Sequence, residues 1–199
     1  MSKLAGHLSS FRDLDKISVQ GLTRWIPHPP NPFYIENYLA NRIFYPQTVP
    51  QTKEDQDLEL AILREALIKN PSFFSNKEGK FLIPQSLISC TNLGQIVWAY
   101  LDVYKPKGLI RVFLKNQKTY TLGTVLVPDV NKKEGLIELV IENKKYSVKI
   151  GNLEVIPCPK NYCDINFFSK SARIMGKNEE SLEVFGGDLG IVVDARGLN

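Results

Sequence analysis

The chain has 199 residues, 43% hydrophobic and 23% charged, with a net charge of +4, so it is long enough to bury a core in one domain or two small ones. No apolar run reaches the roughly 18 residues needed to span a bilayer, and Met1-Ser2-Lys3-Leu4 does not open the apolar core of a signal peptide; a cytoplasmic protein without membrane contact is expected. The charge is too small to mark a nucleic-acid protein by itself, and the three cysteines Cys90, Cys158 and Cys163 leave an odd thiol under any pairing.

Residues 1–20 carry weak periodicity and read as a loosely docked N-terminal arm. In Arg24-Trp25-Ile26-Pro27-His28-Pro29-Pro30-Asn31-Pro32, four prolines forbid regular helix and favour an extended path. Asn31 then caps a helix with Pro32 at its first position, running through Phe33, Ile35, Tyr38, Leu39 and Ile43 until Pro46 ends it. Thr52 and Asp55 form an acidic variant of the capping box. The helix they open reaches about Lys69, with Leu58, Ile62, Leu63, Ala66 and Leu67 at core spacing and Glu54, Asp55 and Asp57 at its positive end. Asn70-Pro71 stops it. Phe81-Leu82-Ile83 is a short buried strand closed by Pro84. Asn92, with Gln95 in the reciprocal position, caps a helix through Ile96, Val97, Tyr100 and Leu101 that ends before Lys105-Pro106.

From there the period changes to two. Ile110–Leu114, Thr119–Val127, Leu136–Glu142, Tyr146–Ile150 and Leu153–Ile156 are successive strands, with tight turns at Asn143-Lys144 and Gly151-Asn152. After the Cys158-Pro159 break come Ile165–Phe168, Leu182–Phe185 and Leu189–Val193. The last lies between Gly186-Gly187 and the turn Asp194-Ala195-Arg196-Gly197, and is too apolar to leave a face in water. The pattern predicts an α+β protein: an N-terminal helical layer followed by a small antiparallel β barrel or sandwich. Its regions are the arm 1–20, a helical region 21–105 with one short strand, and a β-rich C-terminal domain 108–199.

Chemistry-bearing patterns are sparse. Cys158 and Cys163 resemble half of a zinc site, but Cys90, His7 and His28 form no second knuckle, so no metal is expected. No Ser or Cys sits in a nucleophile elbow. Glu54 with Asp55, and Glu179 with Glu180, read as solvated faces rather than acid–base pairs. Asp194, beside Arg196, reads as a turn-stabilising acid. No catalytic residue and no cofactor is expected. The ten basic residues Lys105, Lys107, Arg111, Lys115, Lys118, Lys132, Lys133, Lys144, Lys145 and Lys149 outnumber four acids in the same stretch, but no aromatics interleave with them, so nucleic acid is disfavoured. Trp25, Trp98 and the eight tyrosines offer rigid contact area for a protein partner.

Several stretches together resemble one family, the proteins related to glutamate mutase L in the hydantoinase and actin-like ATPase superfamily. They are Arg24-Trp25-Ile26-Pro27; Asn37-Tyr38-Leu39-Ala40-Asn41-Arg42 with Val49-Pro50-Gln51-Thr52; Glu65-Ala66-Leu67; Leu122-Gly123-Thr124-Val125-Leu126-Val127-Pro128; Gly151-Asn152-Leu153-Glu154-Val155-Ile156-Pro157; and Gly186 to Gly197. Their order, from about residue 20 to 197, is similar to the C-terminal portion of those proteins. Family members carry their phosphate loops upstream of this portion. Where they have a glycine-rich stretch, this sequence has Ser86-Leu87-Ile88-Ser89-Cys90-Thr91-Asn92-Leu93-Gly94 without paired glycines. The resemblance thus implies a non-catalytic scaffold or assembly subunit that keeps an interaction tail without the ATPase engine. The alternative is a nucleotide-responsive accessory factor of a cobalamin-dependent mutase, acting with a separate actin-like ATPase chain; a second alternative is nucleic-acid binding through the lysine-rich barrel. A protein partner, such as an actin-like ATPase or a mutase subunit, is expected, with Arg24, Trp25, Lys144, Lys145, Asp194 and Arg196 as interaction candidates.

Overall fold

A computed structural model describes residues 16–45, 50–76, 78–88, 92–115, 117–158 and 160–197. The fold is α+β and comprises two compact units. The first runs up to Phe73 and includes Pro84–Tyr104; the second combines Phe74–Ile83 with the residues from Lys105 onward.

The helical unit contains α1 (Val19–Thr23), α2 (Pro32–Phe44), α3 (Lys53–Lys69), α4 (Gln85–Ile88) and α5 (Leu93–Tyr104). Its helix starts follow local capping chemistry. The Asn31 side chain accepts the Phe33 N–H at 2.9 Å, with Pro32 in the first turn. The Thr52 hydroxyl accepts the Asp55 N–H at 3.1 Å while the Asp55 carboxylate accepts the Thr52 N–H at 3.1 Å, completing the capping box. The Asn92 side chain accepts the Gly94 N–H at 2.8 Å. Leu58, Ile62, Leu63, Ala66 and Leu67 are buried, as their spacing predicts, and α3 packs mainly against α5. At the other end of α3 the Tyr104 hydroxyl lies within donating distance of the carbonyls of Leu67 (3.2 Å) and Asn70 (3.0 Å), adding to the bond that the Asn70 N–H makes to the Leu67 carbonyl at the helix C-terminus. Pro46, the expected stop of α2, lies outside the described residues, as do residues 1–15 of the arm and Cys90.

The second unit is built from three sheets. Strands β1 (Phe74–Ser75), β2 (Lys80–Ile83), β3 (Gly108–Leu114), β4 (Gln117–Val127), β12 (Gly190–Asp194) and β8 (Leu153–Ile156) form a six-stranded sheet in that order. A four-stranded sheet runs β11 (Glu179–Phe185), β9 (Tyr162–Ser169), β6 (Leu136–Ile141) and β7 (Lys144–Lys149), and β5 (Asp129–Val130) pairs with β10 (Ala172–Arg173). The sheets are open, so of the two expected architectures the closed barrel is not formed. Leu126, Ile156, Ile191 and Val193 of the larger sheet share one buried cluster with Ile137, Leu139, Val148, Ile165, Phe167 and Val184 of the smaller, the pattern of a sandwich.

Three further points differ from the sequence reading. The β2–β3 and β4–β12 pairs are parallel, not antiparallel. Parallel neighbours need a crossover of about a dozen residues or more, and the segment carrying α4 and α5 supplies it for β2 and β3; the short strand assigned to the helical region therefore belongs to the sheet. The β6–β7 turn falls at Glu142-Asn143, one residue earlier than expected, with φ of 48° and 67°. Positive φ at both central positions is the requirement of a type I′ hairpin. Gly151-Asn152 joins β7 to β8 in different sheets and is a corner, not a hairpin.

A disulfide joins Cys158 to Cys163 across the β8–β9 connection, with both residues in the sandwich core and a Cα–Cα distance of 6.8 Å. Closing a loop this short is worth about 2 kcal/mol by chain entropy. Reduction, or Cys163→Ser, is expected to lower the urea midpoint by a corresponding amount; an unfolding curve indifferent to reductant would show that the bridge contributes nothing. Among the described residues no helix is long and apolar enough to cross a membrane.

Candidate functional site

At about 100° per residue, Phe33, Asn37, Ala40 and Phe44 fall on one stripe of α2, while Ile35, Tyr38 and Arg42 lie on the other side. The second side meets α3 through polar contacts. Tyr34, at its margin, donates to Asp55 Oδ1 at 2.6 Å and Tyr38 to Glu59 Oε1 at 2.7 Å. Arg42 Nη2 donates to Glu59 Oε2 at 2.7 Å, and its Nε lies 2.6 Å from Oε1. Arg42 is only 2% exposed. The opposite side carries Phe33 and Phe44, 69% and 76% exposed, flanked by exposed Ile43 and followed by exposed Tyr45. An inner polar seam with an outer apolar stripe inverts the usual pattern of a surface helix. It also corrects the sequence reading of α2: of Phe33, Ile35, Tyr38, Leu39 and Ile43, only Ile35 is fully buried.

The seam has a defined electrostatic range. Burial pushes the Asp55 carboxyl upward, but hydrogen bonds from Tyr34, from the N–H groups of Gln51 and Thr52 and from the Thr52 hydroxyl outweigh it, and the net shift is downward. The Tyr34 phenol is raised, first by its bond to Asp55, and the Tyr38 phenol is raised by burial and then by Glu59. A lowered carboxyl stabilises the fold fully above its unfolded value of about 4, and that contribution is lost as pH falls through its folded value. Raised phenols stabilise fully below about 10 and lose that contribution as pH rises through their folded values. The stability that the seam contributes is therefore expected to be lost as pH falls into the acid range and as it rises above about 10, with Asp55→Asn removing part of the acid limb of the urea midpoint. An acid limb identical in Asp55→Asn would refute this assignment.

Of the six residues singled out by sequence, Arg24 and Trp25 converge on one carboxylate in the helical unit, and Asp194 and Arg196 pair with each other in the second unit. The Trp25 indole N–H donates to Glu65 Oε1 at 2.7 Å, and the Arg24 guanidinium pairs with the same carboxylate. The guanidinium groups of Arg24 and Arg64 lie 5.1 and 5.5 Å from the centre of the Trp25 ring, and Arg64 bonds to Asp102 at 2.9 Å. Arg24 and Trp25 thus fasten the end of α1 onto α3. Lys144 and Lys145 are exposed on the edge strand β7, where Lys145 pairs with Glu138 at 2.9 Å. Asp194 accepts the Arg196 backbone N–H at 3.1 Å and both Nε and Nη2 of that side chain at 2.8 Å, closing the turn after β12. Arg196 also borders a cleft of about 320 Å³ with Asn131, Lys132, Lys133 and Gly151.

The outer face of α2 was missed because apolar periodicity does not say which stripe turns inward. A usable signal was present: Tyr34, Tyr38 and Arg42 recur every four residues on α2, as Asp55 and Glu59 do on α3. Two such stripes complement one another.

Comparison of the chain with protein-family models, curated proteins and solved structures found no match. Among the described residues, no group of three or more His, Cys, Asp or Glu side chains is placed to hold a metal ion. The arrangement at α2 is suited to contact rather than to bond-making: rigid aromatics face outward, and the neighbouring ionisable groups are tied into the seam beneath them.

Proposed function

We propose that the chain is a non-catalytic scaffold or assembly subunit that holds a protein partner through the outer face of α2. The exposure of Phe33, Ile43 and Phe44 along one helix carries this reading. Covering each such side chain is worth about 1.5–3 kcal/mol, and exposed aromatics of this kind act as interface anchors. The segments that resemble the tail of glutamate mutase L type proteins support a partner from that setting, either an actin-like ATPase chain or a subunit of a cobalamin-dependent mutase.

The test compares wild type with Phe44→Glu in capture of such a partner from the native source. Loss of capture with an unchanged circular dichroism spectrum is expected; equal capture would remove α2 from the interface. Calorimetry with ATP, ADP and magnesium tests the non-catalytic reading, since micromolar binding to this chain alone would overturn it; the accessory-factor alternative is instead favoured if a mutase or an actin-like ATPase subunit co-purifies with the chain from its native source. Nucleic acid is the weaker reading because Lys107, Lys145 and Lys160 are paired with Asp129, Glu138 and Glu142, which compensates their charge within the fold. Salt-sensitive retention on a nucleic-acid column would reverse that ordering.

A further inference from the structure

We infer that the chain assembles head to tail through the two free edges of its four-stranded sheet, β7 of one copy pairing antiparallel with β11 of the next. The contact leaves α2 untouched and so goes beyond the partner proposed for that face. The sheet ends on β7 at one edge and on β11 at the other. The two edges carry opposite charge, with Lys145 and Lys149 on β7 and Glu179 and Glu183 on β11, all four exposed.

The hydrogen-bond pattern fixes which residues can meet. The Ile150 N–H bonds to the Gly135 carbonyl in register with the β6–β7 pair, so the even-numbered residues of β7 turn their backbone groups to β6; Lys145, Ser147 and Lys149 turn theirs outward. The Ser169 N–H bonds to Asn178 and the Gly186 N–H to Asn161, in register with the β9–β11 pair, so Glu179, Ser181 and Glu183 likewise present theirs at the edge. Pairing the edges antiparallel sets the first trio against the second. Centred on the serines, it places Lys145 opposite Glu183, Ser147 opposite Ser181 and Lys149 opposite Glu179, all on the exposed face. Each opposed pair exchanges two backbone hydrogen bonds, except that the Lys149 carbonyl already accepts the Asn152 N–H at 3.1 Å. Lys145 holds Glu138 at 2.9 Å on the same face and has donors for a second carboxylate. On the inner face the same register puts Tyr146 against Leu182, two half-buried side chains that pack on the sandwich core. A shift by two residues in either direction breaks both Lys–Glu pairs.

Like edges exclude one another. Two β7 strands centred on Ser147 set Lys145 on Lys149, and two β11 strands centred on Ser181 set Glu179 on Glu183, whereas unlike charges directly opposite stabilise an antiparallel pair. Charge at a free edge ordinarily keeps strands apart; here it leaves the unlike pairing as the permitted one. Main-chain bonds carry the affinity of an added strand, and its side chains carry the choice of partner. Each copy in a pair still has one edge unused, so the assembly is heterologous and grows past two.

Sedimentation of the full chain from about 1 to 500 µM at low salt is expected to show mass rising beyond the dimer, and about 0.5 M salt to weaken it, since exposed pairs are screened. Lys145→Glu with Lys149→Glu makes both edges acidic, and Glu179→Lys with Glu183→Lys makes both basic; each double variant is expected to weaken association at least about tenfold while staying folded by circular dichroism. An equimolar mixture of the two double variants is expected to associate again. Register is read in a Cys90→Ser background by oxidative cross-linking, the Cα atoms of such an opposed pair lying about 5.5 Å apart, within disulfide reach. A mixture of Ser147→Cys and Ser181→Cys chains is expected to give the mixed dimer, and neither alone to cross-link efficiently. A monomer at every concentration, a mixture of the double variants that stays monomeric, or Ser181→Cys bridging to itself would each overturn the pairing. Association lost in Phe44→Glu but unchanged in both double variants would place self-contact on α2 and overturn it as well. Capture of a different protein through α2 is expected to be indifferent to all these edge substitutions, so failure here leaves that reading standing.

Discussion

Glu59→Ala is expected to destabilise the helical unit by about 3–5 kcal/mol, the range for removing one partner of a buried ion pair. The pair is well enclosed, with side-chain exposures of 2% for Arg42 and 16% for Glu59. Without Glu59 the guanidinium stays charged in a site built around a carboxylate, and the Tyr38 hydroxyl loses the acceptor it holds at 2.7 Å. The loss should be far smaller when both charges go together. A buried pair replaced by apolar groups of similar size is often neutral or even stabilising, so Glu59→Leu with Arg42→Met is expected to recover most of the deficit. Urea unfolding of wild type, Glu59→Leu, Arg42→Met and the double variant gives the coupling directly. A single-variant loss below about 1 kcal/mol would mean that water already reaches the pair and that the seam is not what positions α2.

The second large effect belongs to two glycines, Gly186 ahead of β12 and Gly190 at its first position. A Cβ on Gly186 would overlap the carbonyl oxygens of Cys158 and Lys160 and fall 2.6 Å from Cys158 Sγ. A Cβ on Gly190 would overlap the Ile156 carbonyl, and the residue has φ of +70°. Most of these obstacles are backbone atoms of the neighbouring segment, fixed by the pairing of β8 with β12, so no side chain can swing aside. Steric overlap costs about 1–3 kcal/mol and a strained φ a similar amount. Gly190→Ala is therefore expected to lose about 3 kcal/mol or more, a fall in melting temperature of roughly 6–12 °C. Gly176→Ala isolates the conformational component, since φ there is +83° with nothing within 4 Å of the added Cβ. Equal melting temperatures for Gly190→Ala and Gly176→Ala would show that the close approach at β12 is not limiting.

What sequence reveals here divides by the range of the interactions involved. The capping box at Thr52 and Asp55, the Asn31 cap and the inward stripe of α3 are set within a few residues, and each is legible from spacing alone. The burial of β12 is legible too, because five consecutive apolar or small positions leave no face for water. Its neighbours are not: nothing local to Gly190–Asp194 says that β4 lies parallel on one side and β8 antiparallel on the other. The Cys158–Cys163 bridge likewise depends on a corner between two sheets. For the interaction surface the difficulty is different. Arg24, Trp25, Asp194 and Arg196 stand out as residue types, yet the fold engages them with partners in their own unit. Phe33 and Phe44 look like ordinary core residues until Arg42 is seen to occupy the buried side of their helix.

The placement of β12 bears on how the chain survives its own synthesis. Residues 190–193 pair with 123–126, and residues 191–194 with 153–156, so this strand joins two elements made well before it. During N-to-C synthesis at about 5–20 residues per second, β4 and β8 wait on the order of several seconds for the strand that separates them. Throughout that interval both present unpaired N–H and C=O groups, open to strands of other nascent chains. The hazard of misassembly thus concentrates in a brief window before the last apolar strand arrives, and chains truncated ahead of Gly190 remain in it permanently.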